Sequence, residues 1–263
     1  MSAANEPPRS ASGRRPPPPF RQVKLRTKQH LSSRMVRVTV GGQALSGLEI
    51  AEPAASVRLL LPSPGSTELV IPEWNGNEFL LSDGSRPIIR TFTPRFLDRD
   101  ALELTLDLVL HDGGVASEWV VSAKPGAPAA VSGPGRGYEI DPQAPEFLLA
   151  GDETALPAIS QLLERIPADI PVRVLIEIAD RAAGMDLPDH PRSEVSWHEL
   201  PGRGVPGDAL VAAVEAAEIG EGCLIWCAGE AAAMHRIRTH LFKQRGLPRS
   251  VATVRGYWKR PSG

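Results

Sequence analysis

The stretch Phe147–Ala158, which reads FLLAGDETALPA, decides the fold. Its apolar run ends at Gly151, polar residues and Thr154 follow, and Pro157 stands in the early turns of a helix. A strand, a tight turn and a helix N-terminus in this order can bind anionic nucleotides, because free backbone amides and the helix dipole favour negative charge. The stretch lies midway along the chain, between a β-rich half and an α/β half. A nucleotide domain joined to a β domain indicates a redox enzyme.

The composition is that of an ordinary globular protein. The chain has 263 residues, of which 42% are hydrophobic and 23% are charged, and its formal net charge is −2. This balance creates no global field that would favour nucleic acid. The apolar runs are far shorter than the roughly 20 residues of a membrane helix, and the N-terminus lacks the apolar core of a signal peptide. We therefore expect a cytoplasmic monomer with no membrane anchor and no nucleic-acid partner.

The two cysteines, Cys223 and Cys227, flank an apolar segment typical of a buried strand. Their spacing would place both thiols on one face of that strand. Free cysteine is among the most buried residue types, so a core role is favoured over a redox pair or a metal site.

The first half of the chain is predicted to be a short tail followed by a β-barrel. Residues 1–19 are rich in proline and arginine and have little to bury, which predicts a disordered tail. From residue 20 to 142, short β patterns alternate with Gly, Pro and Asp, and they favour a closed or nearly closed antiparallel barrel. The clearest of these patterns are Met35–Val40, Val57–Leu61 and Leu102–Leu110. The block Val115–Val121 predicts one short helix.

From residue 145 onward, strands alternate with helices. The predicted strands are Phe147–Ala150, Val172–Ile178, Glu194–Leu200 and Cys223–Ala228. The predicted helices are one ending near Arg165, one over Gly207–Ala217 and one from Gly229 to about Arg245. This alternation predicts a mostly parallel sheet covered on both faces, with ligands at the carboxyl ends of its strands.

A first group of candidate site residues is Arg90–Arg95, read as one extended strand. Alternation would then put Arg90, Phe92 and Pro94 on one face. A ring and hydroxyls beside a cation suit a planar cofactor that carries phosphates. On residue types alone, a barrel strand with solvated arginines is the favoured interpretation.

A second group is His111–Ser117, in which two glycines precede the predicted helix. Glycine lets the backbone approach a ligand, and the helix start offers free N–H groups to a pyrophosphate. The alternative is an ordinary strand-to-helix turn in which His111 is a satisfied turn residue.

A third group is the acidic pair Asp152 and Glu153 within the opening stretch. Carboxylates repel phosphate but accept hydrogen bonds from ribose hydroxyls or a nicotinamide amide. The glycines of Gly133–Gly137 superficially resemble a dinucleotide fingerprint, but no helix is predicted after them, so that interpretation is rejected.

Taken together, these motifs resemble the siderophore-interacting proteins, which are flavin-dependent ferric-siderophore reductases of the ferredoxin-reductase-like superfamily. The resemblance covers about residues 20–260, and several motifs in the right order are far more specific than one alone. The motifs are Arg90–Arg95, His111–Trp119, Gly133-Pro134, Gly151–Ile159, Gly229-Glu230 and Gly256–Lys259.

The resemblance implies an FAD-binding β-barrel over residues 20–142 and an NAD(P)H-binding α/β domain over 145–263, with a basic C-terminal segment. By the same resemblance, the flavin site would be formed by Arg90, Phe92, Thr93, His111, Gly114, Val115, Ala116 and Ser117. The nucleotide site would be formed by Asp152, Glu153, Thr154, Glu177, Gly229 and Glu230. The family usually has tyrosine where this chain has Phe92, which loses a hydrogen bond commonly worth about 1 kcal/mol.

The substrate implied by the resemblance is a ferric siderophore, and the C-terminal charge supports an anionic one. Residues 234–260 contain eight basic residues and no acidic one. A basic surface would attract an anionic chelate, although a solvated helix face is the alternative for each single residue. Substrate-facing basic residues of the family correspond to Arg58, Arg136 and Lys259. The chelator supplies the iron ligands, so no metal-binding or proton-relay side chain is expected, and FAD carries the chemistry.

Three questions stay open at the level of sequence. Glu177 or Asp180 could hold a ribose 2′-hydroxyl and favour NADH, whereas Arg181 could accept a 2′-phosphate and favour NADPH. Two rival functions are a general NAD(P)H:flavin oxidoreductase with another electron acceptor and a non-catalytic ferric-siderophore binding protein. The identity of the siderophore is not decided.

Overall fold

The computed structural model describes residues 17–260. Most of the predicted tail, residues 1–16, lies outside the described residues, as do residues 261–263. No helix in residues 17–260 is long and apolar enough to cross a bilayer.

Within the described residues, the first half of the chain forms nine strands. In chain order they are β1 (Arg21–His30), β2 (Met35–Gly41), β3 (Val57–Leu61), β4 (Glu73–Trp74), β5 (Phe79–Leu80), β6 (Ile88–Phe92), β7 (Pro94–Asp98), β8 (Glu103–Val109) and β9 (Pro128–Ser132). β4 and β5 pair as a separate hairpin, and the other seven form one sheet in the order β6-β3-β9-β1-β2-β8-β7.

This seven-stranded sheet is antiparallel throughout and curls around an apolar core. Its two edge strands, β6 and β7, are joined in the chain by Thr93 alone, so the sheet must bend until its edges meet there. Val38, Leu59 and Leu104 are among the fully buried residues that fill it. The predicted antiparallel barrel architecture is confirmed.

The expectation of one strand over Arg90–Arg95 is wrong. β6 ends at Phe92 and pairs with β3, whereas β7 begins at Pro94 and pairs with β8. Because proline has no N–H to donate, it is tolerated as the first residue of a strand. Pro94 therefore does not share a strand face with Arg90 and Phe92.

The helix α1 (Val115–Ser122) follows β8 and is fixed at its C-terminal end by Lys28 of β1. The Lys28 ammonium donates to the carbonyls of Val120, Val121 and Ala123 at 2.7, 2.9 and 2.8 Å. A cation here complements the helix dipole and satisfies carbonyls that the helix leaves free. The N-terminal end of α1 has no side-chain cap.

As far as residue 260, the second half forms a five-stranded sheet with three α-helices. The elements are β10 (Phe147–Asp152), α2 (Leu156–Arg165), β11 (Val172–Ile178), β12 (Ser193–Glu199), α3 (Asp208–Ala216), β13 (Leu224–Glu230), α4 (Ala231–Thr239) and β14 (Ala252–Trp258). The strand order is β12-β11-β10-β13-β14, and every pair is parallel. A π-helical turn over His240–Gln244 extends α4.

Both faces of this sheet are covered, as predicted. Phe147 and Leu149 of β10 pack on the α2 side, whereas Leu148 and Ala150 pack on the side of α3 and α4. Gly151 is required after them, because a Cβ there would lie 2.4 Å from the Ala155 Cβ. Because glycine has no side chain here, α2 can start directly beside the end of β10.

The last strand, β14, has no counterpart among the predicted elements. It lies at the edge of the sheet and is only partly buried, so its apolar alternation is weak. It carries Arg255, whose guanidinium donates to the carbonyls of Ala54, Arg136 and Gly137 of the barrel half at 3.1, 3.2 and 2.6 Å.

The two cysteines lie in the core, as predicted. Cys223 and Cys227 are both buried and unbonded to one another. Burial raises the pKa of Cys223 to about 11 and that of Cys227 to about 12, so neither is a thiolate at neutral pH.

Candidate cofactor and substrate cleft

A cleft of about 1130 Å³ lies between the curled sheet and the parallel sheet. It is bordered by the carboxyl ends of β10 and β11, next to the position where the strand order reverses between β10 and β13. Ligands of open α/β sheets bind at such a position. The cleft brings together most of the predicted site residues: Arg90, Phe92, Thr93, His111, Gly114, Val115, Ala116, Ser117, Asp152, Glu153, Thr154, Glu177 and Lys259.

The barrel side of the cleft combines an aromatic ring with a free helix start. Phe92 packs partly against the barrel core, and Thr93 is buried at the junction between β6 and β7. The first intrahelical hydrogen bond of α1 runs from Glu118 N to Gly114 O at 2.8 Å, and no side chain caps the helix. The amides that precede this bond therefore have no acceptor within the helix, and they lie along the cleft.

His111 is exposed and belongs to the turn before α1. Its backbone N–H donates to Ser117 Oγ at 3.0 Å, which ties the turn to the helix. A Cβ at Gly114 would lie 2.5 Å from the His111 ring, so glycine allows the imidazole to rest on the backbone there. His111 and Gly114 therefore both lie at the start of α1, within the second group of candidate residues.

Asp152 reaches the cleft but has no oxygen free for a ligand. Its Oδ1 accepts from the amide and hydroxyl of Thr154, and its Oδ2 accepts from Glu230 N at 2.9 Å and Trp258 Nε1 at 2.7 Å. Burial raises the pKa of Asp152, and these four donors oppose the shift. Two donors already occupy each carboxylate oxygen, so no lone pair remains to accept a hydrogen bond from a ribose hydroxyl or a nicotinamide amide.

Glu153 is also buried and joins the two halves of the protein. Its Oε2 pairs with Arg34 Nε at 2.8 Å, and its Oε1 accepts from Ala179 N at 2.7 Å. Arg34 lines the cleft and comes from the turn between β1 and β2. Sequence reasoning missed Arg34, because a lone arginine in a hairpin turn carries no signal of a partner 119 residues away.

Glu177 has a structural role at the start of α3. Its carboxylate accepts from Gly207 N at 2.6 Å and Leu210 N at 2.9 Å, which satisfies amides that α3 leaves free. Burial raises its pKa, and the two amides oppose the shift. Asp180 likewise caps the short helical turn that follows β11, through Ala182 N and Ala183 N.

Gly229 and Glu230 are not among the residues that line the cleft. Glu230 is buried and caps α4, since its Oε2 accepts from Ala232 N and Ala233 N at 2.6 and 2.9 Å. Both residues stand behind Asp152, whose carboxylate occupies the space beside Gly229. The structure thus places Glu230 at the start of α4 and Gly229 beside Asp152, outside the cleft lining.

The three basic residues expected at the substrate do not all lie on the cleft. Lys259 lines it and is exposed, whereas Arg58 and Arg136 are exposed but are not among its lining residues. The guanidinium of Arg58 stands 5.9 Å from the ring centroid of Phe79, and Arg58 is the register partner of Thr91, which does line the cleft.

Much of the basic C-terminal segment is used within the fold. Arg236 pairs with Asp208 at 2.5 Å, Arg238 donates to the carbonyl of Val254, and Arg245 donates to that of Ala217. Arg238, Arg255 and Lys259 are the basic residues of this segment that line the cleft. Five of the eight basic residues of this segment therefore do not line the cleft.

Two aromatic residues of β14 complete the cleft, namely Tyr257 and Trp258. Burial raises the pKa of Tyr257, and its ring packs edge-on against Trp226 at 6.2 Å between centroids. Both belong to the Gly256–Lys259 motif of the sequence. Their position in the cleft, however, depends on strand β14, which the sequence does not predict.

The cleft fits FAD in its chemistry. Three amides without helical acceptors suit a pyrophosphate, the partly exposed Phe92 ring suits stacking, and Arg90 supplies a cation beside them. The cleft volume of about 1130 Å³ slightly exceeds the roughly 300–1,000 Å³ common for ligand pockets, so the cleft has room for a large cofactor. No group of three or more His, Cys, Asp or Glu side chains in residues 17–260 is arranged to hold a metal ion.

The fold is that of the ferredoxin-reductase-like proteins. The Amycolatopsis cytochrome P450 reductase GcoB superposes with a TM-score of 0.65 at 20% identity, over 96% of this chain and 74% of that one. Two family models then match: "Siderophore-interacting FAD-binding domain" over residues 24–138 and "Siderophore-interacting protein" over residues 144–261. The chain therefore belongs to the siderophore-interacting proteins.

Relatives in this family are similar over nearly the whole chain. A siderophore utilization protein from T. fusca has a crystal structure with a TM-score of 0.82 and 35% identity, covering 94% of this chain and 95% of that one. The ferric vibriobactin reductase ViuB of Vibrio cholerae is 26% identical over 238 residues, which is 89% of this chain and 87% of that protein.

Proposed function

We propose that this protein is a flavin-dependent ferric-siderophore reductase. When bound, FAD would take a hydride from NADH or NADPH and pass electrons singly to the Fe(III) of the chelate, which releases Fe(II). One observation carries the proposal: a single cleft is lined by the barrel surface around Phe92 and the start of α1, by the strand ends of the parallel sheet, and by the exposed Lys259. The reductase activity of ViuB supports the same conclusion.

On the barrel side, the chain's task is to hold the cofactor. The amides of Val115, Ala116 and Ser117 would bind the pyrophosphate, where the helix dipole adds to their attraction. Phe92 would pack against the ring system, with Arg90 and Thr93 on either side of it along the chain. All of these residues belong to the proposed FAD-binding domain over residues 20–142.

On the other side, the strand ends of the domain over residues 145–263 would receive the nicotinamide nucleotide. Thr154 keeps acceptor capacity on its hydroxyl, because that hydroxyl donates its proton to Asp152. Arg181 is almost fully exposed and its contact with Glu199 is long at 3.5 Å, so it is free to meet a 2′-phosphate and favour NADPH. NADH or NADPH remains the donor class in this proposal.

The substrate would be anionic and would approach over Lys259, with Arg58 and Arg136 nearby on the barrel half. Lysine and arginine attract such a chelate without ligating the iron, which its own oxygen atoms already surround. Arg58 on its Phe79 ring presents a planar guanidinium to aromatic chelating groups.

The test is steady-state turnover of FAD-loaded protein under anaerobic conditions, with Fe(II) trapped by a coloured chelator. We expect faster Fe(II) formation from a ferric tris-catecholate than from ferric citrate. Rapid reduction of quinones or dyes without this preference would instead favour a general NAD(P)H:flavin oxidoreductase. Tight binding of the chelate with no flavin and no NAD(P)H oxidation would favour the binding protein.

A further inference from the structure

The exposed Lys259 is held from both sides by two buried carboxylates. Trp258 Nε1 donates to Asp152 Oδ2 at 2.7 Å, and Arg260 N lies 3.4 Å from Glu230 Oε1. Here the residue before Lys259 and the residue after it are both tied to the parallel sheet.

The two carboxylates are themselves fixed in place. Asp152 is buried at the end of β10 and accepts four hydrogen bonds in all. Glu230 is buried at the end of β13, and its other oxygen caps the first turn of α4. Glu230 N donates to Asp152, so the two anchors also hold one another. Buried, fully used carboxylates of this kind form a rigid base for a surface segment.

We propose that Asp152 and Glu230 are positioning residues, which hold Trp258 and Arg260 so that Lys259 faces an anionic ferric chelate. This role rests on the proposed function and differs from the cofactor ligation that the sequence motifs indicated. Asp152 has no oxygen free for a ligand, and Glu230 is not part of the cleft lining. Anchoring Lys259 before binding lowers the entropy lost when its side chain and backbone become ordered at the substrate.

The test is a pair of double-mutant cycles on the FAD-loaded protein. Trp258→Phe keeps a ring but removes the indole N–H, and Glu230→Gln keeps an oxygen for the α4 cap but replaces the acceptor near Arg260. Each is made with Lys259 present and in the Lys259→Met background. The Kd of a hexadentate ferric tris-catecholate, a highly charged anion, is measured by calorimetry.

With Lys259 present, each substitution should raise the Kd about fivefold, the effect of losing one hydrogen bond. In the Lys259→Met background the same substitutions should change it less than about twofold, because the charge that they orient is gone. A neutral ferric trihydroxamate is the control ligand, and its Kd should change little in all variants. Thermal melting shows that each variant folds.

Equal weakening in both backgrounds would assign Asp152 and Glu230 a purely structural role and overturn the inference. Unchanged binding with Lys259 present would overturn it as well. The cycles measure binding, so wild-type protein that binds the tris-catecholate without reducing it would refute the proposed function while still deciding the positioning role. Wild-type protein that does not bind it would overturn both.

Discussion

At the scale of single residues, the acidic side chains around the cleft serve the fold more than the ligand. Asp152, Glu177 and Glu230 each accept two or more backbone or side-chain hydrogen bonds within the protein. The first amides of a helix have no acceptor within the helix, so a carboxylate at a neighbouring strand end can accept their hydrogen bonds. An acidic residue at such a strand end is also typical of a ribose ligand, so the sequence pattern does not separate the two roles.

The buried cysteines lead to a prediction about reactivity. Because burial raises the pKa of Cys223 to about 11 and of Cys227 to about 12, the native protein should react with thiol reagents only as fast as it opens. The thiols favour the folded state below the ordinary thiol pKa of 9.0, and this contribution is lost as the pH rises through the folded values. Rapid labelling at pH 8 in native buffer would contradict the burial of these side chains.

Lys28 provides a second prediction at this scale, since it caps the C-terminal end of α1. Lys28→Met should lower stability by about 1 kcal/mol and weaken FAD binding about fivefold, because α1 frays and its opposite end loses its position. The Kd for FAD is measured by fluorescence, with Lys24→Met, an exposed lysine of the same strand, as the control. Equal FAD affinity in the two variants would contradict a coupling between the two ends of α1.

At the scale of elements, α3 depends on Glu177 for its start. Glu177→Ala should lower the free energy of unfolding by about 1–3 kcal/mol, because the amides of Gly207 and Leu210 lose their acceptor. The kcat/KM ratio for NADH and NADPH should stay unchanged. A marked gain toward NADPH in this variant would show that Glu177 also meets the ribose, as the sequence suggested.

The same scale shows why most elements, but not β14, could be predicted. Strands such as Val57–Leu61 and Val172–Ile178 have unbroken apolar or alternating patterns and match the structure residue for residue. β14 is a half-buried edge strand interrupted by Gly256 and Arg255, so its pattern resembles a charged loop. The break at Thr93 carries no sequence signal for a related reason: local alternation continues across a position where the strand changes its pairing partner from β3 to β8.

At the scale of the whole molecule, polar contacts hold the two halves in a fixed relation. Arg95 of β7 is buried and makes two hydrogen bonds with Glu164 of α2, at 2.6 and 3.0 Å. Gln161 of α2 donates to Pro94 O at 2.7 Å and accepts from Ala54 N at 2.9 Å. None of these pairs is predictable from sequence, because each joins residues more than 60 positions apart through the tertiary fold.

We expect these contacts to make unfolding cooperative across both halves. Wild-type protein should melt in one calorimetric transition. Glu164→Gln should lower stability by about 1–3 kcal/mol, because the buried Arg95 guanidinium loses a charged partner. Glu194→Gln, which removes an exposed carboxylate from β12, is the control. Two separate transitions in wild-type protein would show that the interface is weaker than its contacts indicate.

The most direct measurement of the central claim is a single-turnover experiment. FAD-loaded protein is reduced anaerobically with one equivalent of dithionite and mixed with a ferric tris-catecholate in the presence of an Fe(II) trap. The proposed function predicts reoxidation of the flavin, loss of the catecholate charge-transfer band and about two Fe(II) per FAD. Flavin that stays reduced while the chelate remains bound would contradict it.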